Sequence, residues 1–224
     1  MLENALRVPH SPWLDAALAR FDADNTELVP RTRALLHAII AEPKRHARMI
    51  NTLSLLEHMG SHKIMATQHS TAIDQATLKH VAEEAHHAFF MKRQAEKTAG
   101  RALEYVTDDL LAPSSARMYF QRLERATVRA LGEQRSTRAA YLYMSMIVEF
   151  RALWFYGLYD QALKRGRHAL SLKRVLGEEQ AHLADMAERL ASGNELDDAR
   201  TGPVLGAERK LYLRLLAALE RAPA

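Results

Sequence analysis

The sequence predicts an all-α fold, an antiparallel four-helix bundle made of two helical hairpins, with extra helices at both ends. Three observations carry this. Ala, Leu, Glu, Arg and Lys, all strong helix formers, dominate the composition. Apolar residues recur at helical spacing through four long segments. Nine glycines and seven prolines are few, and the prolines stay out of the long periodic segments.

Residues 1 to about 30 carry Pro9, Pro12, Pro30 and the polar turn Asp22-Ala23-Asp24-Asn25. They read as an N-terminal arm, 1–30, with one short helix near Trp13 to Phe21. A short amphipathic helix follows from Arg31 to Ala41. Pro43 closes it and opens the first long helix, to about Thr67, because a first helical turn tolerates proline. His69 to Asp74 is a loop, with Asp74 placed to cap the next helix. That helix runs to about Thr98 and stops at Gly100. Arg101 to Pro113 is a connector with room for a helical turn. Ser114 or Ser115 caps a helix to about Leu131. Ser136 or Thr137 caps a very long one to about Lys164, ending at Gly166. The fourth long helix spans about Ala169 to Ala191 and stops at Ser192-Gly193-Asn194. Gly202-Pro203 opens an accessory C-terminal helix, 203–221.

At 224 residues the expectation is a single domain, 1–224, with the bundle core at about 43–191. The absence of cysteine excludes disulfides, zinc–thiolate sites, thiol nucleophiles and iron–sulfur clusters in this chain. The first residues lack the layout of a signal peptide. The longest charge-free runs, such as Ala139 to Val148, are too short to span a bilayer. A cytoplasmic location without membrane attachment is the expectation. A net charge of +4 and a pI near 9.4 are mildly basic, with Lys and Arg spread among acids. A solvated helical surface explains this better than a nucleic-acid face does.

The chemistry sits in four places. Glu57 and Glu149 each occupy an otherwise apolar helical position, and each is followed by a helix holding Glu-x-x-His: Glu84 with His87, and Glu179 with His182. A Glu and a His three residues apart share a helix face and can reach one ion. This order is the ligand set of a dinuclear carboxylate bundle. The spacing alone is weak, since chance supplies roughly one such pair in a chain of this composition. Helical phase adds more. Glu179 and His182 lie mid-face among Leu172, Val175, Leu176, Leu183, Met186 and Leu190. The face of Glu84 and His87 also holds Thr77, His80, Val81, Ala88, Met91 and Ala95, with no Lys or Arg. The alternative pair, Glu83 and His86, shares its face with Lys79, Arg93 and Gln94. There are 26 residues between Glu57 and Glu84 and 29 between Glu149 and Glu179. With the turn near each midpoint, antiparallel packing levels the two carboxylates of a pair. Four buried carboxylates with two neutral imidazoles carry −4, which two divalent cations neutralise. Oxygen and nitrogen donors without thiolate suit iron or manganese.

On these residues, about 43–191 resembles the ferritin-like di-iron carboxylate superfamily. The resemblance implies two iron ions, manganese being the alternative. It implies that Glu84 and Glu179 bridge them, that Glu57 and Glu149 are terminal ligands, and that His87 and His182 bind one ion each. Glu83-Glu84-Ala85-His86-His87 also looks like the doubled motif of arylamine N-oxygenases and tRNA hydroxylases of that superfamily. His80, one turn before Glu84, is a candidate seventh ligand or else a core-edge histidine; Val175 holds the matching place in the second pair. The implied function is a di-iron oxygenase or oxidase that activates O2 to hydroxylate or N-oxygenate a small organic substrate. The alternatives are a tRNA-modifying hydroxylase and a rubrerythrin-like ferroxidase or peroxidase. No rubredoxin-like cysteine motif is present, so electrons are expected from a separate reductase, from peroxide or from the substrate. Gly60, Ser61, Ala152 and Tyr156 are candidates for a substrate pocket. Met146, Phe150, Trp154, Phe155 and Tyr156 form an aromatic–thioether stripe that reads as core or as a pocket wall. The extra helices can close such a pocket or make a homodimer face.

Overall fold

The computed structural model describes residues 12–68, 73–132 and 136–223. Among them every regular element is helical and no strand occurs. In order these are α1 (Pro12–Asn25), α2 (Val29–Ile40), α3 (Pro43–Ala66), α4 (Gln75–Ala99), α5 (Pro113–Leu131), α6 (Thr137–Arg165), α7 (Lys173–Ser192) and α8 (Asp198–Arg221), with short 3-10 turns at Thr26–Leu28 and Thr107–Asp109. No helix among the described residues is long and apolar enough to cross a membrane.

The long helices start and stop where local chemistry requires. Asp74 caps α4, its Oδ1 accepting the Thr77 N–H at 2.7 Å. Gly100 ends α4 in the left-handed region, φ 68°, and returns its N–H to the Glu96 carbonyl. The Ser136 hydroxyl caps α6 by accepting the Ala139 N–H at 2.9 Å. The expected loop at 69–72 and the first eleven residues of the N-terminal arm lie outside the described residues.

Several boundaries differ from the sequence reading. Helix α1 runs through the polar Asp22-Ala23-Asp24-Asn25 because the Asn25 amide and the Thr26 hydroxyl donate back to the Phe21 and Asp22 carbonyls, each at 2.8 Å. Helix α2 starts two residues early, with Pro30 inside its first turn. Helix α5 starts at Pro113 itself, after Ala112 at φ 50°. Helix α7 starts later than Ala169, because the Asp160 carboxylate takes the Leu172 N–H at 3.0 Å and fixes the turn there. Helix α8 starts at Asp198 and not at Gly202-Pro203. The Asp197 side chain accepts the Ala199 N–H at 2.8 Å, and Pro203 lies inside the helix, in its second turn.

The described chain divides into two compact units, one within Leu35–Phe120 and Arg214–Ala224, the other within Met1–Ala34 and Gln121–Leu213. The first unit holds the α3–α4 hairpin. Its register is antiparallel: Ser54 meets Ala88, Glu57 meets His87 and Gly60 meets Glu84, so one helix recedes as the other advances. The connector after α4 is tied to this hairpin. The Asn51 amide donates to the carbonyls of Glu104 and Asp109, each at 2.9 Å. Arg101 and the Glu104 N–H donate to the Asp109 carboxylate and hold it below the usual carboxylate range.

The second unit holds the α6–α7 hairpin, also antiparallel, since Glu149 meets His182, Tyr141 meets Arg189 and Arg138 meets Gly193. Helix α6 is buried on nearly every side from Tyr141 to Leu163. The face opposite Glu149 is covered by α1 and by the first part of α8. There Arg151 is clamped by Glu208 through two bonds of 2.8 and 2.7 Å and donates to the Asn25 side chain at 2.8 Å. The rings of Phe21, Trp154 and Tyr212 surround the guanidinium, Tyr212 at 3.9 Å. Tyr212 shares a 3.0 Å hydrogen bond with Thr32, and burial pushes its phenol up to about 12. Glu208 is fully buried, so removing it strands a cation. Glu208→Ala should therefore lower unfolding stability by about 3–5 kcal/mol in urea titrations, far more than an exposed substitution such as Glu188→Ala.

Candidate metal centre

The α3–α4 hairpin builds half of the predicted ligand set. Glu57, Glu84 and His87 are all buried, and each offers a ligand atom within 4.8 Å of the others. His87 Nδ1 stands 4.0 Å from Glu57 Oε2. His80, one turn before Glu84, is also buried, with Nε2 at 3.4 Å from Glu84 Oε1. The competing pair faces outward: His86 is exposed, and Glu83 binds Lys79 at 2.9 Å.

The α6–α7 hairpin builds the other half. Glu149, Glu179 and His182 are buried, with His182 Nδ1 at 3.0 Å from Glu179 Oε2 and 3.8 Å from Glu149 Oε1. In the tautomer protonated at Nδ1, that N–H donates to Glu179. Val175 takes the place that His80 holds in the other hairpin, and it is buried. The two halves therefore differ by one imidazole. Buried oxygen and nitrogen donors so arranged can hold a metal ion.

Supporting groups account for the heights of the donors. In the first hairpin the Ser54 hydroxyl donates to the Ala88 carbonyl at 2.6 Å and takes a 2.7 Å bond from the Tyr105 hydroxyl. This pins α3 to α4 one residue from His87. Tyr105 was not singled out by sequence, although it is the one aromatic residue in the connector Arg101 to Pro113. Lys92 lies over its ring at 4.5 Å and donates to the Leu103 carbonyl.

The four candidate pocket residues have separate fates. Gly60 does not border open space; a Cβ there would stand 2.9 Å from Glu84 Oε2, so its bare Cα leaves room for that carboxylate. Ser61 is buried and donates to the His58 carbonyl at 2.9 Å. Ala152 is half-buried, and Tyr156 is buried against Phe155 at 6.1 Å between ring centres. The aromatic stripe does not form one wall. Phe150 packs on Phe21 at 5.5 Å and Trp154 on Tyr212 at 5.6 Å, around Arg151 and away from Glu149.

Searches of family models, curated proteins and solved structures returned no match to this chain.

The Gly60 contact gives a test within one hairpin. Gly60→Ala forces the Glu84 carboxylate to move, so the variant should keep its helical circular dichroism yet bind Fe(II) or Co(II) roughly 10–100-fold more weakly in anaerobic titration. Ala82→Gly, at an exposed position of α4, should leave metal binding unchanged.

Proposed function

We propose that the two hairpins close on one another as a ferritin-like four-helix bundle, and that the protein is a non-haem di-iron oxygenase or oxidase of a small organic substrate. The observation that carries this is the repetition of one buried construction: each hairpin levels a glutamate from one helix with a Glu-x-x-His from the next. In this reading the first hairpin would offer Glu57, Glu84 and His87, with His80 beside them, and the second Glu149, Glu179 and His182, to two ions. By the ferritin-like resemblance Glu84 and Glu179 would be the shared ligands. His80 has only Val175 as its counterpart in the second hairpin, so the two ions would be inequivalent. Four carboxylates against two divalent ions leave the site neutral, which removes the main cost of burying it. Bound iron supplies the activation of O2 and the oxidation of substrate. The chain's own residues hold the donors at fixed height, through Ser54, Tyr105 and the bare Cα of Gly60 in the first hairpin. Electrons come from a separate donor, since the chain has no cysteine for an iron–sulfur or rubredoxin-type centre of its own.

Metal analysis after anaerobic Fe(II) loading tests the centre. Wild-type protein should retain about two irons per chain, Glu179→Ala fewer than one, and Glu83→Ala the full complement. Fewer than one metal in the wild type would sink the dinuclear reading. Equal loss in both variants would put Glu83 on the ligand-bearing face of α4.

A second reading, a di-iron hydroxylase of tRNA, has one observation in its favour. The turn from α6 to α7 exposes Lys164, Arg165, Arg167, Lys173 and Arg174 within eleven residues. Asp160 and Glu178 neutralise only Lys164 and Arg174. If RNA is the substrate, charge reversal at Arg165 and Arg167 should weaken tRNA binding by tenfold or more in a mobility-shift titration at low salt, and should flatten its salt dependence. An unchanged isotherm would leave the small-molecule reading standing.

A further inference from the structure

Outside the buried centre, one pair of side chains has the geometry of a chelate. His58 and His62 are four residues apart on α3 and both are exposed. At that spacing two side chains lie one above the other on a helix face, the arrangement by which a single helix offers two imidazoles to one ion. Their ring centres are 4.6 Å apart with the planes at 74°. That separation has a specific meaning. With metal–nitrogen bonds of about 2.0–2.1 Å and ligand angles of roughly 90–110°, two imidazoles on one ion hold their ring centres about 4.5–5.2 Å apart. The pair already stands at the distance that shared coordination requires.

The pair is also held in place. His58 stacks on Tyr105, with ring centres 5.7 Å apart and planes at 27°. Tyr105 is fixed in turn by its hydroxyl on Ser54 and by Lys92 over its ring. A ligand fixed in advance loses less rotamer freedom on binding, which favours affinity. Neither histidine points to the buried face of α3, where Glu57, Ser61 and Ile64 lie.

We propose that His58 and His62 form a solvent-facing site for a divalent transition-metal ion such as zinc, distinct from the buried carboxylate centre. The two imidazoles supply two ligands and water completes the coordination shell. Imidazole donors without carboxylates select zinc, nickel or copper over magnesium and calcium. The site stands whether or not the interior centre holds iron, because both its ligands lie on the exposed face of α3.

Zinc binding to the full chain tests it. In a calorimetric titration with zinc chloride, wild-type protein should show a binding event that His62→Gln weakens by tenfold or more and that Glu179→Ala retains. His62 is the better target because its removal leaves the His58–Tyr105 stack intact. Diethylpyrocarbonate footprinting on the wild type gives a second readout that needs no variant. Zinc should slow modification of His58 and His62 together, while the exposed His86 reacts at an unchanged rate. The proposal is overturned if His62→Gln binds zinc as the wild type does, if Glu179→Ala abolishes the event in a folded protein, or if zinc leaves His58 and His62 equally reactive.

Discussion

The burial of carboxylates in the middle of helix hairpins is the constraint on which the rest depends. Glu57 with Glu84, and Glu149 with Glu179, are all buried. An ionised carboxylate in such a place costs several kcal/mol unless a cation, a proton or a full set of hydrogen bonds compensates it. The fold answers with placement. Antiparallel packing sets a glutamate of one helix level with an imidazole of its neighbour, and it does so in both hairpins. Small details serve the same end. A glycine stands where a Cβ would collide with Glu84, and a serine–tyrosine bond fastens two helices one residue from His87.

The two hairpins solve the problem in different surroundings. Helix α3 has a buried face rich in polar groups, His46 among them, and its Asn51, Thr52 and Ser54 hold the connector and the neighbouring helix. Helix α6 is apolar around most of its circumference, and a helix of that kind must be enclosed. This is what the terminal helices do in that unit: α1 and α8 cover the side of α6 that α7 leaves open. Arg151 lies about 200° around the helix from Glu149 and faces that cover. One helix therefore buries an acidic group on one side, facing His182, and a basic group on the other, clamped by Glu208.

Much of this was legible in the sequence, and the physical reason separates what was from what was not. Periodicity and end chemistry are local. The segments α3, α4, α6 and α7 could be read from their apolar spacing, and Asp74, Gly100 and Ser136 from the groups that helix ends need. The preference for Glu84 and His87 over Glu83 and His86 followed from phase, and their burial agrees with it. Boundaries failed where a side chain from elsewhere decided them, as when Asp160 held the start of α7 twelve residues away. At α8 the conspicuous Gly202-Pro203 hid the true cap at Asp197. The Arg151–Glu208 clamp was not legible at all. Its one trace was an arginine in the middle of an apolar helix, and periodicity does not say which distant acid will meet it. The role of Gly60 was read as open space because a sequence records the missing side chain and not the neighbour that fills its place.

The Arg151 clamp also bears on how the chain comes together as it is made. Its acid partner lies 57 residues further on. At a synthesis rate of about 5–20 residues per second, roughly 3–11 s separate the emergence of the two. Throughout that interval α6 carries an apolar surface and an uncompensated cation. It can pair with α1 and α7 beforehand, but the part of it that α8 covers stays open until α8 arrives. The last enclosure of α6 is therefore a late event, and the half-made protein exposes its stickiest helix to whatever attends the ribosome.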